Sequence, residues 1–130
     1  MALDILIVDH SAPIRKILAR VLSQTDLPIE QVHEAGDAPE ALKTIGANNV
    51  GLVLSALDLP GMDGLQLVSL LQTSPDLRQV PVIVVAAENS RVRILEAIRL
   101  GARGCISKPF SANQIEVEVS ACLHARVIRD

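Results

Sequence analysis

Tryptophan and tyrosine are missing from the chain, and Phe110 is its only phenylalanine. The core must therefore be aliphatic, built from Leu, Ile, Val and Ala. The aromatic platforms on which single-stranded nucleic acids stack are missing too. Cysteine is scarce: Cys105 and Cys122 form no Cys-x-x-Cys pair and have no His/Cys cluster around them. That argues against a disulfide scaffold, and both are expected as small buried hydrophobes in a reducing cytoplasm. No apolar run approaches the ~20 residues of a membrane span, so no membrane partner is expected. The start, with Asp4 and only a short apolar stretch, does not have the make-up of a signal peptide. A basic footprint is also lacking, since the net charge is −3. The charge is uneven, however: residues 88–130 carry seven Lys/Arg against five Asp/Glu, and residues 1–87 carry five against ten.

What is present is one domain's worth of chain. A length of 130 residues, 49% hydrophobic and 21% charged, suits a single globular unit spanning 1–130. Strand-like and helix-like segments alternate throughout. The strands are expected at "DILIVD" (4–9), "IEQVHEA" (29–35), "VGLVLSAL" (50–57), "VPVIVVAA" (80–87) and "GCIS" (104–107). They are short and mostly continuous in apolar residues, as strands covered on both faces are. The second is more polar and is expected near an edge.

Helix signals lie between them. Ser11 caps a helix with Pro13 in its first turn and Ile14, Ile17, Leu18, Val21 and Leu22 on one stripe. Asp37 with Glu40, and Ser111 with Gln114, have capping-box spacing; Asp63 caps the third helix, which ends before Pro75. Gly46 and Gly101 suit helix stops. In the fourth helix Leu95 and Ile98 are expected to face inward. In the fifth, Ile115, Val119, Cys122, Leu123 and Val127 form the core stripe. The fold class is α/β, with five strands and five helices alternating as a doubly wound parallel sheet, (βα)5. In such sheets the working site lies beyond the carboxyl ends of the strands. Those ends are Asp9-His10, Ala56-Leu57-Asp58, Ala86-Ala87 and Ser107-Lys108.

With "LIVDHS" at the first strand end, "SALDLPGMDG" at the third and "GARGCISKPF" at the fifth, the whole chain resembles the response-regulator receiver family, CheY-like domains of the flavodoxin-like fold. The resemblance implies two-component phosphorelay signalling. In that family, acids at the strand ends hold Mg²⁺, and an aspartate takes a phosphoryl group from a histidine kinase or a small phosphodonor. A lysine and the metal neutralise the transferring oxygens. A hydroxyl then follows the phosphate, an aromatic ring turns inward, and the face formed by the fourth helix, fifth strand and fifth helix changes partner.

Residue by residue, Asp9 falls on the first of the paired acids, and His10 falls where a second acid is usual. Ala56 falls on the phospho-acceptor. Asp58 falls on the residue that offers its carbonyl to the metal, Ala86 on the switch hydroxyl, Cys105 on the switching aromatic, and Lys108 on the lysine. The scaffold is thus expected with a vestigial pocket: no catalytic residue, no enzyme activity of its own, no cofactor, and Mg²⁺ at most weakly through Asp9 and Asp58. The alternative is a surrogate acceptor at Asp58 with Mg-dependent self-phosphorylation. Two residues along a strand is ~6.6 Å, which disfavours it. A different metal on Asp9 and His10 would have only two ligands, too few for a transition-metal site. A Lys108–Asp9 ion pair is expected to fill the pocket. His10 is expected as a solvated or helix-capping group, and His33 and His124 as surface residues.

Function then moves to the outside. Arg91, Ile94, Arg99, Arg103, Cys105, Val117 and Ala121, with Arg93 and Ile128 nearby, are the expected partner face. The resemblance implies another signalling protein there, a histidine kinase or a downstream effector, or a second copy of the chain. A basic contact to nucleic acid through the arginines ranks last.

Overall fold

Five short strands lie side by side as one parallel sheet in the order β2-β1-β3-β4-β5. The chain, seen in a computed structural model, is described over residues 3–129, with side chains at 88 and 124–129 outside the description. The strands are β1 (Leu3–Val8), β2 (Ile29–Ala35), β3 (Leu52–Ala56), β4 (Val82–Ala87) and β5 (Gly104–Lys108). The helices are α1 (Ala12–Ser23), α2 (Ala38–Ala47), α3 (Gly64–Thr73), α4 (Arg91–Leu100) and α5 (Ala112–Arg129), with a 3₁₀ turn Glu88–Ser90 ahead of α4. This is the five-stranded flavodoxin-like arrangement expected, with β2 at one edge.

Alternation of side chains across the sheet splits the core in two. Leu6, Val8, Val53, Val82 and Val84 face a layer containing Ala41, Leu67, Val68, Leu71 and Ala97. Ile5, Ile7, Leu52, Leu54, Ile83 and Val85 face the other layer with Leu18, Leu22, Ile115, Val119 and Cys122. The helix starts follow from their caps. Ser11 Oγ accepts from the Ile14 N–H, Asp37 Oδ1 from Glu40, and Ser111 Oγ from Gln114. Asp63 and Gln66 exchange both bonds of a capping box. The Glu40 carboxylate binds the Gly36 N–H rather than that of Asp37. Helix α2 runs one residue beyond Gly46 and is closed by Asn48; Gly101, at φ 125°, closes α4 as expected.

Two stripes differ from expectation. Ile17 is 49% exposed, although its neighbours Leu18 and Leu22 are buried. In α4, Leu95 and Ile98 point outward, while Ala97 is buried and Ile94 packs on the core. Apolar residues surround this helix (Val92, Ile94, Leu95, Ala97, Ile98 and Leu100), so periodicity alone does not choose the inner face. The small Ala97 lets the backbone approach the sheet, and Ile94 and Leu100 close in beside it. In α5, Ile115, Val119 and Cys122 are buried as expected; Val127 lies outside the described side chains. Among the described residues, no helix is long and apolar enough to cross a membrane.

Candidate functional site

The parallel register brings the strand ends to one rim. Val8 pairs with Ser55, Ala56 with Val85, Ala86 with Ser107, and Ala87 with Lys108. A cleft of about 250 Å³ opens there, lined by Asp9, His10, Ser11, Ala56, Leu57, Asp58, Val85, Ala86, Ala87, Ser90 and Lys108. Asp9, His10, Ala56, Asp58, Ala86 and Lys108 therefore line one cleft, whereas Cys105 does not. Its floor is apolar: Ala56 and Ala86 are buried methyl groups.

The carboxylate of Asp9 is buried, and its Oδ1 accepts from the Ser11 N–H at 2.8 Å. The expected Lys108–Asp9 pair is not among the ion pairs of the described residues. Lys108 sits on β5 and Asp9 follows β1. Three strand spacings, roughly 14 Å of backbone separation, lie between them, more than a lysine side chain spans. The peptide bond after Lys108, to Pro109, is cis.

The acid that is paired is Asp58. Its Oδ1 lies 2.6 Å from Arg93 Nη1, although its side chain is 90% exposed. Arg93 Nη2 also donates to the Leu57 carbonyl at 3.1 Å and stands 3.9 Å from Asp63 Oδ2. The Leu57 carbonyl takes a second bond from the Gly64 N–H, which uses both its lone pairs. Sequence reasoning placed Arg93 on the outer face. The signal that relocates it is its spacing from Ala97: four residues, one turn of helix, which puts both on the inward side.

A magnesium ion takes near-octahedral oxygen coordination, usually through more than one carboxylate or backbone oxygen. Here Asp58 is engaged by a guanidinium, residue 56 has no oxygen in its side chain, and His10 is exposed. Among the described residues, no three His, Cys, Asp or Glu side chains gather as a metal site would. With Asp9 the one buried carboxylate lining the cleft, the donor set fits the ion poorly.

The charged groups around the cleft are braced from the other side as well. Arg15 donates to the Asp9 carbonyl at 2.6 Å and to Glu34 at 3.0 Å, and Lys16 reaches Glu34 at 2.8 Å. The Lys16 bond has the largest effect on the Glu34 carboxyl; burial, next in size, opposes it, and the Arg15 bond with both charges brings the carboxyl below its ordinary value. His33 is not a free surface group: it is half-buried, with Nε2 3.1 Å from Asp4 Oδ2. The side chain of His124 lies outside the described residues.

On the expected partner face, Val117 is 56% exposed, and Arg91, Arg99 and Ala121 are exposed. Arg103 and Cys105 are half-buried. Ile94 is a correction: it packs on the core, and Val92, Leu95 and Ile98 take the outward positions. A groove between α4 and β5 is lined by Asn89, Arg91, Ile94, Leu95, Cys105 and Ser107. Burial pushes the Cys105 thiol up; a Ser107 hydrogen bond opposes this and the Glu118 charge adds to it. Ile128 lies outside the described side chains.

Comparison with known proteins agrees with this geometry. The chain is 32% identical over 117 residues to the chemotaxis protein CheY of Pseudomonas aeruginosa, covering 90% of this chain and 93% of that protein. It is 34% identical over 110 residues to chemotaxis protein CheY-3 of Vibrio cholerae, covering 85% of this chain and 83% of that one. The solved structure of the chemotaxis response regulator CheY4 of Vibrio cholerae superposes with a TM-score of 0.81 at 24% identity. That match covers 94% of this chain and 99% of that one, and at this identity it is a likeness of fold. Residues 5–120 match the response regulator receiver domain family, and the chain belongs to that family: it is a CheY-like receiver domain of two-component signalling.

Proposed function

We propose that this receiver domain works as a protein-interaction module whose output does not depend on phosphorylation at residue 56. The observation that carries the reading is Ala56. It ends β3 at the cleft floor, where the family resemblance puts the acceptor, and its methyl group can neither attack a phosphoryl group nor ligate a metal. Two further observations support it. Ala86, on the same rim, has no hydroxyl to follow a phosphate, and Cys105, on β5, has no ring to turn inward. In this reading the domain has no enzymatic activity of its own, uses no cofactor and acts in the cytoplasm.

Asp58 is a poor surrogate acceptor. Its carboxylate is 90% exposed and paired with Arg93. The outward surface of α4, β5 and α5 is the proposed contact for a kinase or an effector. Its exposed Leu95, Ile98 and Val117, beside Arg91 and Arg99, provide an apolar centre with a cationic rim.

The test is amide chemical shifts of α4, β5 and α5, with and without acetyl phosphate and Mg²⁺. No shift is expected in the natural chain. Ala56→Asp is expected to take up phosphoryl groups slowly and still to leave this face nearly unmoved, because a modification shifts a conformational equilibrium only by its differential interaction with the two states. A full phosphodonor-dependent shift of the face in the natural chain would overturn the reading.

A further inference from the structure

Arg93, on α4, reaches the turn that follows β3. Its guanidinium meets three features of the turn between β3 and α3: the Leu57 carbonyl at 3.1 Å, the Asp58 carboxylate at 2.6 Å, and the Asp63 cap of α3 at 3.9 Å. Of these, Asp58 is almost fully exposed, so its position is set by Arg93 rather than by packing. Lys108, which lines the cleft, forms no ion pair among the described residues. The acid of this turn is therefore matched by a charge delivered from α4.

We infer that the Arg93 guanidinium serves as a resident cation for the β3–α3 turn, occupying Asp58 in place of a divalent ion and tying α4 to the turn. A planar guanidinium donates to a carboxylate and a carbonyl at once, which a lysine cannot do with the same geometry. A metal binding the Asp58 carboxylate would have to displace it. The tie also has a direction. Helix α4 carries the exposed Val92, Leu95 and Ile98, so the arrangement of the turn and the position of that surface are linked through one side chain. The contact stands on its own geometry. The consequence, that the surface is held in one position without phosphate, rests on the phosphorylation-independent reading above.

An exposed ion pair can be energetically idle, so the test must read coupling rather than presence. Amide hydrogen exchange is measured on the full chain and on Arg93→Gln, Asp58→Asn and the double variant, each with and without millimolar Mg²⁺. Asp58 makes no core contact, so Asp58→Asn is expected to fold. It should nonetheless speed exchange at residues 95–100 by roughly three- to fivefold, the scale of an exposed charge pair with one added hydrogen bond. Arg93→Gln should do at least as much, and the double variant no more than Arg93→Gln alone. Mg²⁺ should perturb residues 57–63 more in Arg93→Gln than in the natural chain. Exchange in α4 unchanged by Asp58→Asn, additive effects in the double variant, or an equal Mg²⁺ response in both chains would each overturn the inference. Phosphorylation of the natural chain would sink the phosphorylation-independent reading while leaving these exchange differences in place, so the two failures are distinguishable.

Discussion

The carboxylate of Asp9 accepts a hydrogen bond from the backbone N–H of Ser11 at 2.8 Å, and Ser11 in turn caps α1. A side chain in the position of a metal-binding acid is thus engaged in holding the β1–α1 loop, as aspartates do in tight turns. Removing the acceptor with Asp9→Ala is expected to cost about 1 kcal/mol of stability in urea denaturation, and Asp9→Asn, which keeps an oxygen there, distinctly less. Equal losses for the two variants would assign the effect to the charge instead of the loop.

Gly64 opens α3 directly against the end of β3. A Cβ on it would run into the Ala56 carbonyl oxygen and lie 2.8 Å from Leu57 Cα. Both are backbone atoms, which cannot swing away. Gly64→Ala is therefore expected to destabilise the fold by about 1–3 kcal/mol, the usual range for overpacking, and to disturb the amide signals of residues 56–58. A neutral outcome in thermal unfolding would show that the turn yields more than this packing implies.

Glu34 gives the fold a pH dependence of predictable sign. Its carboxyl is held down by Lys16 and Arg15. A group with a lowered folded-state value contributes stability that is fully present above its unfolded-state value, and this is lost as pH falls through the folded-state one. Glu34→Gln should therefore flatten the acid limb of the stability curve below about pH 5, within the carboxylate range. Because Lys16 is 73% exposed, salt should shrink the effect. Urea midpoints measured across that range in the two chains, at low and high salt, check this. Parallel acid limbs would contradict it.

Much of this molecule was legible in its residues because each signal is local. Four of the strands are short, mostly apolar runs, and the more polar β2 has the bounds its sequence implies, since seven residues between turn signals leave little freedom. The caps Ser11, Asp37, Asp63 and Ser111 are hydrogen bonds across three residues. The cleft was legible because a parallel (βα)5 order sends all strand ends to one rim. What escaped was the pairing of charges across elements. The Lys108–Asp9 pair was expected from neutralisation alone, and the strand order sets the two residues too far apart. The Arg93–Asp58 pair depends on how α4 is rotated, and a helix with apolar residues on all sides does not declare its rotation. His33 was placed at the surface for want of a sequence neighbour; its partner, Asp4, is on the adjacent strand.

The central claim, that the cleft has lost its phospho-acceptor with Ala56, is tested most directly by the intact mass of the natural chain after incubation with acetyl phosphate and Mg²⁺. The expected spectrum is that of the unmodified chain, with Ala56→Asp as the variant that gains a phosphoryl group. A stoichiometric adduct of ~80 Da on the natural chain, removed by hydroxylamine as acyl phosphates are, would contradict the account and make Asp58 or Asp9 the acceptor.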